Sequence, residues 1–387
     1  MIPKLPRPPL LRALYVGIAL LLVVRVREGA YGGFDLSHVY QAGSDFLHGQ
    51  PVYDDPFFLY LPSSALLAAP LGLISGPVVI DGGALVTGLA VIWVCFGSAR
   101  LLTPGASPWV GGLTALVVLL SLPGEALVFG ANVECLAVAA LPLLYRWGAD
   151  GRWTRFGVLL GITIAIKPIL VALLLLPLLA RRWKGVAYAI LVPVAISAVG
   201  IVLMRHPGQI VTVTLPHVLG GPPPVFQGAD TSLSGILRSL DVTGVPVSVA
   251  RAMAFAVGVA ATIVRWRRCD DPTLRVVEAG TLALLTSSVV SSVAWDHYAV
   301  FTVPAFVLVI RASSLTHRAW LAWPCLLPLV AGLVPIAPDG PFSYGARAGL
   351  SILAVFIIFS VITIREGLGR PKDRSAPEAE SVLVPAS

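Results

Sequence analysis

The sequence predicts an all-α polytopic membrane protein, and three observations carry that expectation. Hydrophobic residues make up 57% of the 387-residue chain and charged residues only 12%, too little polar surface for a soluble domain of this length. The mean hydropathy is +0.87. The apolar residues gather in runs of span length, separated by short loops that hold most of the Lys and Arg, the pattern of a chain that crosses a bilayer repeatedly. The net charge of +7 therefore marks topology and excludes nucleic acid as the implied partner. Cys95, Cys135, Cys269 and Cys325 have neither paired nor metal-ligand spacing, so neither disulfide nor metal is expected from them.

Taken in order, the spans are expected near 10–24, 77–99, 108–122, 126–145, two within 156–180, 185–204, 246–264, two within 276–310, 319–336 and 347–364. That makes about 12 crossings, within a range of roughly 10–13, at about 20 residues each. The first run follows Lys4, Arg7 and Arg12 as a signal peptide would, but Arg25-Val26-Arg27-Glu28 stands where a cleavage site needs small residues; a retained signal anchor is expected. Residues 1–370 then form one transmembrane domain. The tail at 371–387, rich in Pro, Ala, Glu and Ser, is expected to be disordered and cytoplasmic.

Orientation follows from the basic loops. The N-terminus, Arg146 to Arg155, Arg181-Arg182-Trp183-Lys184, Arg265 to Arg268, Arg311 to Arg318 and the tail belong inside. The loop at 25–76, the segment at 205–246 and the loop from Pro335 to Ala346 then face outside. Within 25–76, Pro51, Pro56, Pro62 and Pro70 break up the apolar pattern and predict helices lying in the membrane interface.

Two apolar stretches begin and end in inside loops. Phe156 to Ala180 has about 25 residues, too many for one span and too few for two, and Val276 to Ile310 is confined in the same way. Each is expected to be a hairpin of shortened helices, with tips at Lys167-Pro168 and Trp295-Asp296-His297-Tyr298. Charge and irregular backbone at membrane depth are tolerated where they line a cavity. The tips should therefore converge with Asp35, which emerges from the first span in Gly32-Gly33-Phe34-Asp35-Leu36-Ser37-His38-Val39-Tyr40. A carboxylate at the lip of a membrane domain can take a proton from a hydroxyl substrate.

The order Phe34-Asp35-Leu36 with Val39-Tyr40, Gly49-Gln50-Pro51-Val52-Tyr53-Asp54, Tyr60-Leu61-Pro62, Phe129-Gly130-Ala131-Asn132, Ala165-Ile166-Lys167-Pro168, Ser232-Leu233-Ser234-Gly235 and Ser292-Val293-Ala294-Trp295-Asp296-His297 resembles glycosyltransferase family 87. The resemblance covers most of the chain. It implies the GT-C architecture and transfer of a sugar from a polyprenyl-phosphate donor to a glycan or glycolipid at the outer face of the plasma membrane. It also implies that Asp35 is the general base of an inverting displacement. Two departures stand out: Tyr60-Leu61-Pro62 replaces Tyr-Pro-Pro, and Asn132-Val133-Glu134 replaces Gln/Asn-Ile/Val-Asn, so no role for that segment carries over.

On this basis Lys167 is expected at the donor phosphate with His297 as a second donor, because the leaving group needs charge stabilisation more than an acid. Asp296, His38, Tyr40 and Tyr60 are expected as further substrate contacts, and Asp54 and Asp55 as acceptor or ion contacts. Glu125 and Glu134 are assigned no more than a structural or cavity-facing role. No cofactor beyond the lipid-linked sugar donor and no metal is expected. The expected partners are membrane lipid, donor and acceptor, and the chain is expected to act as a monomer. Trp295-Asp296-His297 is similar to the family's mannosyltransferases, whereas Lys167-Pro168 through Leu215-Pro216-His217-Val218-Leu219-Gly220 is similar to its arabinofuranosyltransferases; mannose is favoured. The competing class is a transporter or lipid-carrier flippase, which should show matched broken helices in its two halves. Asp35 and its loop have no such counterpart.

Overall fold

The computed structural model describes residues 8–103, 105, 108–214, 216, 228–319 and 344–369. Residues 320–336 of the expected span, nearly all of the loop from Pro335 to Ala346, Pro222-Pro223-Pro224, His217, Cys325 and the tail at 371–387 lie outside them.

Every described regular element is helical. The order is α1 (Pro8–Gly32), α2 (Phe34–His48), α3 (Pro62–Ala68), α4 (Gly76–Leu102), α5 (Pro108–Leu120), α6 (Leu122–Phe129), α7 (Glu134–Ala149), α8 (Trp153–Ile166), α9 (Leu175–Leu179), α10 (Trp183–Leu203), α11 (Leu233–Arg238), α12 (Val245–Arg268), α13 (Pro272–Val290), α14 (Val303–Val307), α15 (Leu315–Arg318) and α16 (Tyr344–Gly369). Tight 3-10 segments precede α9 at Pro168–Leu174 and α14 at Asp296–Thr302. Among the described residues, six helices are long and apolar enough to cross a membrane: the stretches 9–32, 76–102, 183–203, 245–268, 272–290 and 345–368. Shorter apolar helical stretches run over 62–73, 108–120, 153–166, 168–179 and 296–310. The long helices α1, α10 and α12 turn large apolar side chains outward, such as Leu20, Val194, Val202 and Phe255, as lipid-facing helices do.

The main core lies between α4, α7, α8, α13 and the 296–310 stretch, where Leu102, Leu141, Leu144, Tyr145, Phe156 and Leu160 are fully buried. Where that core meets the loop side, three helices are interrupted. The two hairpins expected from the basic loops appear as breaks at Lys167 and at 291–295. At the first, Lys167 is extended, with φ −155° and ψ 128°, as a residue before proline must be. Ser63 of α3 donates to the carbonyl of Ala165 at 2.6 Å, and Ser64 to those of Ala165 and Ile166 at 3.1 and 2.5 Å. These bonds satisfy carbonyls that α8 leaves free at its end.

The third break corrects the expected continuous span at 126–145. The chain there is α6 and α7, separated at Gly130–Val133, with Ala131 at φ 48°. A left-handed alanine stops the helix without proline, which is why the apolar pattern gave no warning. The junction of α1 and α2 docks onto this break: Gly33 N–H donates to Phe129 O at 2.8 Å and Leu36 N–H to Gly130 O at 3.3 Å. A Cβ at Gly32 would stand 2.3 Å from the Phe129 carbonyl, and Gly33 has φ 59°. Both glycines are therefore required for the approach that carries Asp35 to the break. The stretch at 50–76 holds α3 and a 3-10 turn at Ala69–Leu73 packed against α2 and α10, with Ser63, Ser64, Ala65 and Ala68 buried.

Candidate active site

Asp35 sits in the first turn of α2 and is half-buried. Its Oδ2 accepts a hydrogen bond from Asn132 Nδ2 at 2.7 Å. The same Nδ2 lies 3.3 Å from His297 Nε2, and His297 Nε2 is 2.9 Å from Glu134 Oε2. Glu134 Oε1 is paired with the ammonium of Lys167. The result is one continuous polar chain, Asp35–Asn132–His297–Glu134–Lys167, drawn from α2 and all three breaks.

Glu134 is fully buried, the His297 side chain is 6% exposed and that of Lys167 16%. A buried carboxylate is tolerated here because it faces two cationic partners. With His297 protonated, the two cations Lys167 and His297 balance the two carboxylates Glu134 and Asp296, the latter 3.6 Å from His297 Nδ1. The aromatic surroundings fix both cations. The Lys167 ammonium lies 5.0 Å from the centre of the Tyr60 ring, a cation–π contact, and Tyr60 stacks on Phe58 at 5.0 Å. His297 lies parallel to Trp295 at 6.4 Å and edge-on to Tyr298 at 5.2 Å. Asp296 Oδ1 accepts the His297 backbone N–H at 2.7 Å, in the first turn of the 3-10 segment. A cavity of about 200 Å³ adjoins this cluster between the Lys167 and 291–295 breaks, lined by Pro168, Ile169, Leu284, Ser288, Tyr298 and Phe301.

The structure thus brings together Asp35, Lys167, Tyr60, Asp296 and His297 from the sequence expectation. The other named residues have local partners. His38 Nδ1 is 2.5 Å from Asp55 Oδ2, and the imidazole stacks on Phe57. Tyr40 donates its hydroxyl to Ile74 O at 3.2 Å. Asp54 accepts from Gln209 Nε2 at 2.7 Å, and Asp55 accepts the Phe57 N–H at 2.9 Å. The His38–Asp55 contact ties the loop at 50–60 to α2, and the Gln209–Asp54 bond ties it to the segment after α10. Glu125, which lacks a cation nearby in sequence, pairs with Arg25 at 2.8 Å. The residues that sequence reasoning undervalued are Asn132 and Glu134. Their signal was available: an amide and an acid two residues apart inside an apolar run are costly unless they meet partners.

The model of glycosyltransferase family 87 matches residues 58–292, more than half of the chain. The chain belongs to glycosyltransferase family 87. This family 87 protein is accordingly a membrane glycosyltransferase of the GT-C class. It is 29% identical over 309 residues to an α-(1→3)-arabinofuranosyltransferase of Mycobacterium tuberculosis (strain CDC 1551), covering 75% of this chain and 68% of the relative. A Corynebacterium glutamicum protein of the same name is 27% identical, with 79% and 72% covered, and one from Mycolicibacterium smegmatis is 25% identical, with 81% and 75% covered. No solved structure matches the chain.

Proposed function

We propose that this family 87 glycosyltransferase moves an arabinofuranosyl residue from a polyprenyl-phosphate donor to a hydroxyl of a glycan or glycolipid at the outer face of the plasma membrane. The pentose is preferred over mannose because several similar proteins carry the name α-(1→3)-arabinofuranosyltransferase; mannosyl transfer, favoured from the Trp295-Asp296-His297 run, becomes the second reading. The transporter reading is set aside on family membership.

The observation that carries the proposal is the polar chain from Asp35 to Lys167, with a carboxylate at one end and cations at the other. In the proposed step the acceptor oxygen forms a bond to the anomeric carbon while its proton passes to Asp35. The bond from that carbon to the phosphate oxygen breaks, and polyprenyl phosphate leaves on the opposite side with inversion. Lys167 and His297 stabilise the phosphate charge in a site largely closed to water. Glu134 holds both cations in position before the donor arrives, so little reorganisation is left for the reaction itself. Asn132 orients the base. In the proposed reading the cavity behind Lys167, with Ile169, Leu284 and Phe301 on its walls beside Ser287, Ser288 and Ser291, receives the donor's first isoprenoid unit.

The test is transfer by the purified chain in nanodiscs, supplied separately with polyprenyl-phosphate arabinofuranose and polyprenyl-phosphate mannose and a mixed-glycan acceptor. Labelled product from the arabinofuranose donor is expected. Product from mannose alone would exchange the two readings, and product from neither would remove the proposed donor class.

A further inference from the structure

Outside the polar chain, the structure holds a second fully buried carboxylate. Asp230 lies in the outer segment at 205–246, far in sequence from the 291–295 break, yet its side chain is 0% exposed. Its Oδ1 accepts the N–H of Ala294 at 3.0 Å and that of Ser232 at 2.9 Å. Its Oδ2 is paired with the guanidinium of Arg238. The neighbouring Thr231 N–H donates to the Ala294 carbonyl at 2.8 Å. Both backbone polar groups of Ala294 are therefore satisfied by Asp230 and Thr231.

A helix break leaves backbone groups without their helical partners, and buried ones must find others. Ala294 is 1% exposed, and three residues later comes His297, the group that meets both Asn132 and Glu134. The bracing residues are themselves anchored. Ser232 caps α11 through Gly235 N–H at 3.2 Å, and Gly345 N–H of α16 donates to Gly228 O at 3.1 Å.

We propose that Asp230 is a positioning residue of the active site, holding the Ala294–His297 turn so that the imidazole stands between Asn132 and Glu134. The inference rests on the proposed role of His297 at the donor phosphate. It also makes residues 228–238 of the segment at 205–246 part of the catalytic framework and not a mere connector. A carboxylate suits the task because it accepts two N–H groups at one oxygen while Arg238 neutralises the other.

The experiment uses the full chain in nanodiscs. Asp230→Ala should slow turnover about 10- to 100-fold, the cost of a small misplacement of a catalytic group, with the donor KM nearly unchanged. Asp230→Asn keeps an oxygen acceptor and should recover most of the rate. In a His297→Ala background, Asp230→Ala should cost nothing further, because its effect passes through His297. Independently of any turnover, amide exchange in a peptide covering 292–298 should rise in Asp230→Ala while peptides of α4 stay as in wild type. If Asp230→Ala does not fold, Asp230→Glu, which carries the acceptor one methylene too far, should give the same exchange and rate pattern. Unchanged exchange at 292–298, or full additivity with His297→Ala, would overturn the positioning role. Absence of transfer by the wild type would count against the proposed function alone, since the exchange result stands without a substrate.

Discussion

Asn132 donates its side-chain amide to Asp35 Oδ2 over 2.7 Å, bridging 97 residues of sequence. The bond fixes the carboxylate at the break between α6 and α7, and the same amide nitrogen abuts His297. Asn132 thus guides the base, while the His297 cation faces Glu134, 2.9 Å from its Nε2. A hydrogen bond to a charged group contributes about 1.5–3 kcal/mol, so Asn132→Ala should lower kcat roughly 10- to 100-fold. Steady-state transfer assays check this, and an undiminished kcat would show that Asp35 needs no such guide.

Asp35→Asn should fold as wild type, since the change is nearly isosteric at a half-buried position. It removes the proton acceptor, and turnover should fall by at least about 10²-fold. Full activity in the purified variant would remove Asp35 from the chemistry.

Gly130 offers a test that removes no polar group. A Cβ added there would lie 2.6 Å from Asp35 Oδ2 and 3.2 Å from the Ala126 carbonyl. The carboxylate is the end of a side chain that can rotate, so the clash is relieved by moving the base and not the backbone. Gly130→Ala should therefore keep its thermal unfolding midpoint and lose most of its turnover. A variant that loses stability and activity together would place the role of Gly130 in the fold alone.

The sequence made Asp35, Lys167 and His297 legible for one reason: each is announced by a polar interruption at a place the basic loops specify. Lys167-Pro168 cannot continue a helix, and Trp295-Asp296-His297 puts charge in an apolar stretch. Asn132 and Glu134 were visible as polar residues in an apolar run, but their place in the site was not, because the break that presents them is made by Ala131 at φ 48°. Glu134 also has its cations 33 and 163 residues away, at Lys167 and His297, beyond any local charge pattern. His38 and Tyr40 carried the right chemistry on the right helix, but α2 turns them toward Asp55 and Ile74.

Lys167 and Glu134 form a buried pair, so stability and catalysis should separate by variant. Lys167→Ala leaves the fully buried Glu134 with His297 alone, and losing one member of such a pair costs about 3–5 kcal/mol. Unfolding in nanodiscs should show that loss, and the double change Lys167→Ala with Glu134→Gln should recover part of it. Donor affinity should fall in both. Lys167→Arg keeps charge without the geometry and should retain part of the activity. Wild-type donor affinity in Lys167→Ala would sink the phosphate role.

Topology can be tested without any substrate. The positive-inside pattern of the basic loops predicts Asp35 outside and the turn between α7 and α8 inside. Single cysteines at Ser37 and Gly228, both exposed, should react with an impermeant maleimide on intact cells. Cysteines at Gly151 and Ser313, also exposed, should react only after permeabilisation. Ser313 is the better probe in its loop, because Ser314 is fully buried and caps α15 through His317 N–H at 3.1 Å. Labelling at Gly151 from outside would invert the chain. Lys167 and His297 would then face the cytoplasm, and a donor presented at the outer surface could not reach them.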